Sequence, residues 1–312
     1  MKILFHYDAG PKLKDYVQSI LPEGVDVVFC PEGPEEPFAS ELKNADILWH
    51  VLHPIAGEKI HSAAQLKLIQ KIGVGVNTID LDAAKESGVR VCNMPGTNSQ
   101  AVAEMVVMLI LSALRRMPRV DKVCRDGTWF LDEATKEELG EIKGKRVGLV
   151  GFGSVPQLLA PMLTAMGAEI VYTSRTKKSN LPYQYLSMED LVKSSDVVSL
   201  HLALTQETQH IFNQKLFSEM KPGSIFVNTG RGALVNEADL YEALKSKHLG
   251  AAALDVFEQE PAKNNPLFEL DNVVVAPHIA WLTMETWQRS ISVALQNSFA
   301  VMDGEELKHL IV

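Results

Sequence analysis

Cysteine is scarce in the sequence, and long apolar runs are missing. The three cysteines, Cys30, Cys92 and Cys124, are widely spaced and odd in number, a pattern that supports neither a disulfide framework nor a zinc site. The longest apolar run, residues 101–114, contains Glu104 and is shorter than the ~20 residues that a bilayer requires. The first residues also lack the apolar stretch of a signal peptide. We therefore expect a cytoplasmic protein without a membrane span.

Basic residues are not in excess. The chain has 30 Lys and Arg against 39 Asp and Glu, a net charge of -9, which opposes broad binding to nucleic acid or to an anionic membrane surface. Hydrophobic residues make up 46% and charged residues 22%, as in ordinary globular proteins. At about 150 residues per domain, the 312 residues predict two domains. Because the charge opposes binding to nucleic acid and membranes, we expect the partner to be a small molecule.

Short β-rich runs alternate with helical segments along most of the chain. They predict strands at 2–7, 25–30, 47–52, 66–72 and 89–92, and six more at 146–150, 169–173, 197–202, 224–228, 251–256 and 273–276. Between the two series, residues 99–117 predict one long buried helix that Ser99 caps and Pro118 ends. The alternation predicts an α/β protein with doubly wound parallel sheets.

A glycine-rich turn follows the predicted strand 146–150. Gly151 permits a tight turn, and Gly153 lets the backbone N–H groups at the start of the next helix, at Ser154 and Val155, approach a pyrophosphate. The motif departs from G-x-G-x-x-G because Pro156 stands at the third glycine. An ordinary strand-to-helix turn is the alternative, but the βαβ context favours dinucleotide binding.

The residues after the second strand of this unit indicate which dinucleotide is bound. An NAD-binding fold places an acidic residue there, whereas this chain has Ser174, Arg175 and Thr176, followed by Lys177 and Lys178. A hydroxyl group and cations can bind and neutralise a 2′-phosphate. The segment therefore predicts NADP, with NAD possible; the alternative is a solvated basic loop.

Three motifs behind the glycine turn carry a family resemblance. They are N-T-G-R-G at 228–232, D-V-F-E-Q-E-P at 255–261 and P-H-I-A at 277–280. In this order, with G-V-G at 73–75, they resemble the D-isomer-specific 2-hydroxyacid dehydrogenases over nearly the whole chain. The resemblance implies a Rossmann cofactor domain at 99–283, inserted into a flavodoxin-like substrate domain built from 1–98 and 284–312.

The motifs also contain the groups that reduction of a 2-oxo acid requires. These are a cation for the carboxylate and carbonyl, a proton donor for the forming alkoxide, and a group that orients the donor. Arg231, His278 and Glu260 are candidates for the three roles in that order. A carboxylate beside an imidazole favours the protonated ring, so Glu260 would keep His278 ready to donate.

The resemblance implies further binding positions. For the substrate, it implies Leu52 and the backbone N–H groups of Val74 and Gly75. For the cofactor, it implies Ser99, Gly151, Gly153, Ser154, Val155, Ser174, Arg175, Thr176, His201, Thr208, Thr229, Gly230 and Asp255. Relatives dimerise through the region of the long helix, whose apolar bulk also predicts a homodimer.

Residues 49–54, at the implied substrate position, contain no Arg or Lys, so a phosphate group would be poorly bound and a small acid is favoured. His50 and His53 would point to opposite faces of a strand, and we predict no metal. The segments at 174–176 and 277–281 resemble those of glyoxylate and hydroxypyruvate reductases. The predicted function is reduction of such an acid by NAD(P)H to the D-2-hydroxy acid. The alternatives are D-3-phosphoglycerate dehydrogenase and a non-enzymatic dinucleotide-sensing scaffold.

Overall fold

The computed structural model of the protein describes residues 1–33 and 35–312. These residues form two compact units. Unit 1 consists of Met1–Asn98 and Leu282–Val312, and unit 2 consists of Ser99–Trp281. Each unit is built around one parallel sheet, so the predicted α/β architecture is confirmed.

The sheet of unit 1 has five parallel strands in the order β2-β1-β3-β4-β5, which is the flavodoxin-like order. The strands are β1 (Lys2–His6), β2 (Asp26–Cys30), β3 (Ile47–His50), β4 (Leu68–Lys71) and β5 (Arg90–Cys92). The helices between them are α1 (Pro11–Ile20), α2 (Glu35–Leu42), α3 (Gly57–Ser62) and α4 (Leu81–Glu86). Every residue of β3 and β4 is buried, because helices cover both faces of such a sheet.

Unit 2 has a seven-stranded parallel sheet in the order β12-β11-β10-β9-β6-β7-β8. Its strands are β6 (Arg146–Val150), β7 (Glu169–Thr173), β8 (Gln184–Tyr185), β9 (Val197–Leu200), β10 (Ile225–Asn228), β11 (Ala251–Leu254) and β12 (Val273–Val275). Its helices are α5 (Ser99–Leu114), α6 (Met117–Arg125), α7 (Glu133–Glu137), α8 (Ser154–Ala165), α9 (Met188–Ser194), α10 (Gln214–Glu219) and α11 (Glu237–Lys245). The strand order reverses beside β6, so the glycine turn after β6 lies at the switch point where such sheets bind ligands.

Two details of unit 2 differ from the sequence prediction. The sheet has seven strands instead of the six predicted. The additional strand is β8, which the sequence did not indicate because its two residues are too few to show an alternating pattern. The long helix ends at Leu114 instead of Met117; Arg116 adopts a left-handed φ of 50° and α6 begins at Met117. Pro118 lies in the first turn of α6, where a missing N–H costs nothing. Ser99 is the first residue of α5 rather than its cap.

The chain returns to unit 1 in α12 (Met284–Asp303). The Thr283 side chain caps its start by accepting a hydrogen bond from the Thr286 N–H, and Gly304 ends it with a left-handed φ of 72°. The indole of Trp49 in β3 donates to the Ser298 hydroxyl at 3.1 Å, so α12 is fixed to the sheet of unit 1. Within the described ranges, no helix has the length and apolar character needed to cross a membrane.

Candidate active site

Glu260 and His278 form a close pair in unit 2. The Nδ1 atom of His278 lies 2.6 Å from Oε2 of Glu260. Both side chains remain partly open to solvent, with 34% of Glu260 and 21% of His278 exposed. This contact uses Nδ1, so the Nε2 atom of the imidazole is left for another partner.

The second oxygen of Glu260 fixes the carboxylate. Oε1 accepts a hydrogen bond from the Phe257 N–H at 3.0 Å. Burial acts to raise the pKa of Glu260, but the hydrogen bond and charge of His278, the Phe257 N–H and the charge of Arg231 outweigh it and lower that pKa. Glu260 is therefore held as the carboxylate, which can orient the imidazole of His278.

His278 lies in a strained turn that Asp255 holds. The φ of His278 is 55°, a left-handed conformation that is uncommon for residues other than glycine. The His278 N–H donates to the Asp255 carbonyl at 2.7 Å, and the two Asp255 carboxylate oxygens accept from the N–H groups of Ile279 and Ala280, each at 2.9 Å. The Trp281 indole donates to the His278 carbonyl. Four hydrogen bonds thus fix the backbone turn that carries the imidazole.

The Arg231 turn follows β10. Asn228, buried at the end of this strand, accepts the Gly230 N–H and donates to the Arg231 carbonyl, both at 2.9 Å. One guanidinium nitrogen of Arg231 donates to the Gly230 carbonyl at 2.7 Å. Burial lowers the pKa of Arg231 and the charge of Glu260 opposes the change. Arg231 and Glu260 therefore interact electrostatically within the same site.

Gly232 joins this turn to the segment that carries Glu260. A Cβ atom at residue 232 would lie 1.8 Å from the carbonyl carbon of Phe257 and 2.4 Å from the Glu258 nitrogen. Only glycine permits so close a backbone approach. The spacing between Arg231 and Glu260 therefore depends on the missing side chain.

The glycine turn after β6 has the geometry that a pyrophosphate requires. Gly151 has a φ of 95°, and a Cβ there would lie 2.5 Å from the His201 carbonyl oxygen. At Gly153 a Cβ would meet nothing within 4 Å, and α8 begins at the next residue, Ser154. Open space at a helix N-terminus suits a phosphate group. Pro156 lies buried in the first turn of α8, where its missing N–H is tolerated.

The other predicted cofactor positions lie in the same unit. Ser174 donates to the Thr176 carbonyl at 2.8 Å, and Arg175 is exposed. The Thr229 hydroxyl is buried and has no hydrogen-bond partner within residues 1–33 and 35–312, so it can bond to a ligand. Ser99 is buried in α5, and the Thr208 hydroxyl donates to the Ala203 carbonyl at 2.8 Å.

His201 is an uncharged group at the edge of the glycine turn. Its Nε2 atom lies 3.0 Å from the Ser199 hydroxyl, and its N–H donates to the Val150 carbonyl. Burial lowers the pKa of His201 to about 3. The open turn at Gly153, the unpartnered Thr229 hydroxyl and this neutral imidazole together fit a dinucleotide.

The three predicted substrate positions belong to unit 1. Leu52 follows β3, and its N–H and that of His53 donate to one Glu32 oxygen at 2.7 and 2.8 Å. Val74 and Gly75 lie in the loop after β4. The N–H groups of both residues have no protein acceptor in the described part of the chain. They are therefore available to an anion.

Four residues with structural roles at these sites are missing from the sequence prediction. Asn228 and Gly232 flank Arg231 in the recognised motif, so the motif itself could have indicated them. Trp281 follows the His278 motif directly. Lys71, buried at the end of β4, gives no signal in the sequence, because a lysine is usually exposed. Among the residues that the structure describes, no group of three or more His, Cys, Asp and Glu could hold a metal ion.

Comparison with known proteins shows the family that the sequence motifs resemble. Residues 107–280 match the family described as D-isomer specific 2-hydroxyacid dehydrogenase, NAD binding domain. The chain is 38% identical over 262 residues to the glyoxylate reductase of Thermococcus litoralis, covering 81% of this chain and 79% of that one. It is also 38% identical to the hydroxypyruvate reductase of Thermotoga maritima, over 77% of this chain and 79% of that one.

A third relative and a solved structure extend the comparison. The D-3-phosphoglycerate dehydrogenase of Mycobacterium bovis is 38% identical over 80% of this chain, but only 48% of that protein is covered. The crystal structure of the TT0316 protein from Thermus thermophilus superposes with a TM-score of 0.90 at 36% identity, over the whole of both chains.

Proposed function

Because the chain belongs to the D-isomer specific 2-hydroxyacid dehydrogenases, enzymes that use a nicotinamide dinucleotide, we propose that it reduces a small 2-oxo acid to the D-2-hydroxy acid. The observation that carries this proposal is the contact of 2.6 Å between His278 and Glu260. A carboxylate that orients an imidazole is the arrangement expected for a proton donor to a forming alkoxide.

Each group of the site has a part in this reaction. In unit 2, Arg231 would be the cation that binds the substrate carboxylate and polarises the carbonyl. In unit 1, the N–H groups of Val74 and Gly75 are the backbone donors that we propose for the substrate. His278 donates the proton through Nε2, and Glu260 stabilises the ring before the transfer. The turn at 151–155 would hold the pyrophosphate, and Thr229 and Asp255 would hold the nicotinamide. When bound, the nicotinamide supplies the hydride to C2.

For the cofactor we propose NADP in preference to NAD. The segment after β7 presents the Ser174 hydroxyl and the exposed Arg175, Lys177 and Lys178, with no acidic residue among 174–178. A ribose 2′-phosphate would be neutralised by these cations, whereas an acidic residue there would repel it. NAD remains a usable cofactor because the pyrophosphate turn is common to both.

Glyoxylate and hydroxypyruvate are the substrates we propose. Two of the most similar relatives carry these names, and the segment 49–54 holds no Arg or Lys that could bind a phosphate. The second candidate function is that of a D-3-phosphoglycerate dehydrogenase, the name of another relative. A dinucleotide-sensing scaffold would bind the cofactor without turnover.

The test follows nicotinamide absorbance with glyoxylate, hydroxypyruvate and pyruvate, each with NADPH and with NADH. We expect rapid NADPH oxidation with one of the first two acids. The Arg175→Ala variant should raise KM for NADPH and leave KM for NADH unchanged; Lys193→Ala, on α9 away from this segment, is the matched control. A preference of the parent for NADH would refute the NADP proposal alone. Dinucleotide binding without turnover of any acid would refute the enzyme.

We also propose a homodimer. An apolar groove of about 550 Å³ runs along α5 and is lined by Val107, Met108, Leu111 and Met162 among others. Trp129 and Phe130, in the loop after α6, are 73% and 77% exposed. Exposed apolar groups on this scale indicate a protein contact, and a second copy of the chain would cover them symmetrically.

The dimer is tested by sedimentation. The parent should sediment as a dimer and Met108→Asp as a monomer, since the charge would lie in an apolar contact. Lys245→Asp, in the helix layer of α10 and α11, should remain dimeric. A monomeric parent would refute the proposal.

A cytoplasmic location is our further proposal. Cys30 and Cys92 are free and buried, and Cys124 is free and exposed. Free thiols persist in a reducing compartment. Fractionation of the source cells would test it.

A further inference from the structure

A lysine is buried at the carboxyl end of β4. Lys71 is 4% exposed, whereas lysines are almost never buried without partners. Its ammonium group donates to the Val51 carbonyl and, at 3.1 Å, to the Thr78 hydroxyl. One side chain thus connects the end of β3 with the loop that follows β4.

Both partners adjoin positions assigned to the substrate. Val51 immediately precedes Leu52, and Thr78 belongs to the loop after β4 that contains Val74 and Gly75. The Ile55 N–H also donates to the Thr78 carbonyl at 2.9 Å. The ammonium group and this backbone contact therefore join the two segments of unit 1 that carry the proposed substrate contacts.

The Thr78 hydroxyl is oriented by a second neighbour. It lies 2.9 Å from Nε2 of His50, which is fully buried. Burial lowers the pKa of His50 well below its ordinary value, and the charge of Lys71 adds to the effect. The neutral ring accepts the hydroxyl hydrogen while the hydroxyl oxygen accepts from Lys71. Lys71, Thr78 and His50 thus form one hydrogen-bonded series.

The loop packs closely over the lysine. Gly73 has a φ of 143°, and a Cβ there would lie 3.6 Å from Cε of Lys71. On the far side, Asn93 donates to the Val74 carbonyl at 2.8 Å, and the Met94 N–H donates to the Gly73 carbonyl at 2.9 Å. The loop is held from both sides while the N–H groups of Val74 and Gly75 stay available.

We propose that Lys71 is a positioning residue, which sets the distance between Leu52 and the N–H groups of Val74 and Gly75 and so tightens binding of the 2-oxo acid. The proposal rests on the proposed function, because it assumes that these groups bind the substrate. Lys71 acts through Val51 and Thr78 and is not itself assigned a contact with substrate. Its loss should weaken substrate binding while the proton donor and the cofactor site, which lie in unit 2, are retained.

The test compares Lys71→Met, which keeps the length of the side chain but removes the donor, with Lys67→Met on an exposed residue before the same strand. We expect KM for the 2-oxo acid to rise about tenfold or more, as for a lost hydrogen bond from a charged group. The kcat should fall less than KM rises, KM for NADPH should not change, and Lys67→Met should match the parent.

Hydrogen exchange followed by mass spectrometry supplies a readout that does not depend on activity. In Lys71→Met, amides in the peptides covering 51–55 and 73–79 should exchange about tenfold faster, with β6 unchanged. Thr78→Val should reproduce part of both effects, and Thr78→Ser should restore the parent values. The double variant Lys71→Met with Thr78→Val should resemble Lys71→Met alone, because the two residues act through one contact.

The outcomes separate the two proposals. A parent that reduces no 2-oxo acid overturns the proposed function and the role of Lys71 with it. If the parent is active and Lys71→Met is folded with KM within twofold of the parent, only the Lys71 proposal is overturned. A raised KM without faster exchange, or with no effect of Thr78→Val, would mean direct contact with substrate and would also overturn the positioning role.

Discussion

At the residue scale, two glycines of one turn have different physical requirements. Gly151 needs its left-handed φ and close approach to the His201 carbonyl, so any side chain there disturbs the fold. Gly153 has a φ of -88°, which any residue adopts, and open space around its Cβ position. The fold therefore does not require a glycine at 153, and we expect that the ligand does.

Gly153→Ala should therefore weaken cofactor binding without unfolding the protein. We expect Kd for NADPH, measured by fluorescence titration, to rise about tenfold or more, because the methyl group fills space meant for phosphate. The stability should change by at most ~1 kcal/mol, the usual effect at a helix cap. Gly151→Ala is the contrasting variant and should lower the melting temperature. An unchanged Kd in Gly153→Ala would show that the pyrophosphate binds elsewhere.

The Glu260 and His278 pair predicts a graded loss of activity. His278→Gln removes the proton donor and should lower kcat for reduction by about 10² to 10⁴. Glu260→Gln keeps a hydrogen-bonding group of the same size but loses the charge, so we expect a smaller fall. Both variants should keep the parent Kd for NADPH, measured as above. Near-full activity of His278→Gln would contradict the mechanism.

At the scale of elements, the loop from β11 to Glu260 is positioned against the turn after β10. Gly232→Ala would place a methyl group inside the Phe257 peptide, so this loop must move and carry Glu260 away from Arg231. We expect kcat/KM to fall about 100-fold or more and the melting temperature to drop. Gly10→Ala, where a Cβ meets nothing within 4 Å, is the control for a glycine substitution. Parent-like kinetics in Gly232→Ala would refute this dependence.

Helices and strands with a regular apolar pattern could be predicted from the sequence. Features that depend on contacts with residues distant in the sequence could not. The strands of both sheets follow apolar runs, because strands buried on both faces must be apolar. The end of α5 was predicted wrongly, because a proline can start one helix as well as end another. Neither the left-handed φ of His278 nor the burial of Lys71 is visible in the sequence, since each depends on contacts between distant segments. The candidate site residues could be named from the sequence because the family pattern carries them in order, and their roles stay predictions.

At the scale of the whole molecule, each unit contains a histidine whose pKa is lowered by burial. His6 in unit 1 is 1% exposed, and burial, with smaller effects from the charges of His53 and Lys59, lowers its pKa to about 4. Burial lowers the pKa of His201 in unit 2 to about 3, and that of His50 in unit 1 is lowered as well. Below the ordinary value of about 6.5, the unfolded chain therefore binds more protons than the folded one. The free energy of unfolding must therefore decrease as the pH is lowered below about 6.5.

His6 offers the sharpest test of this dependence, because its ring stacks on Phe38 at 4.0 Å between centroids and His6→Phe retains a ring there. The parent should lose about 1 kcal/mol of unfolding free energy at this site alone as the pH falls from 6 to 5, and the variant should not. Urea unfolding at pH 8, 7, 6 and 5 measures the difference. Between pH 8 and 7 the two stability curves should run parallel, since His6 is then largely neutral in both states. Curves that stay parallel down to pH 5 would show that His6 titrates equally in both states, contrary to its burial.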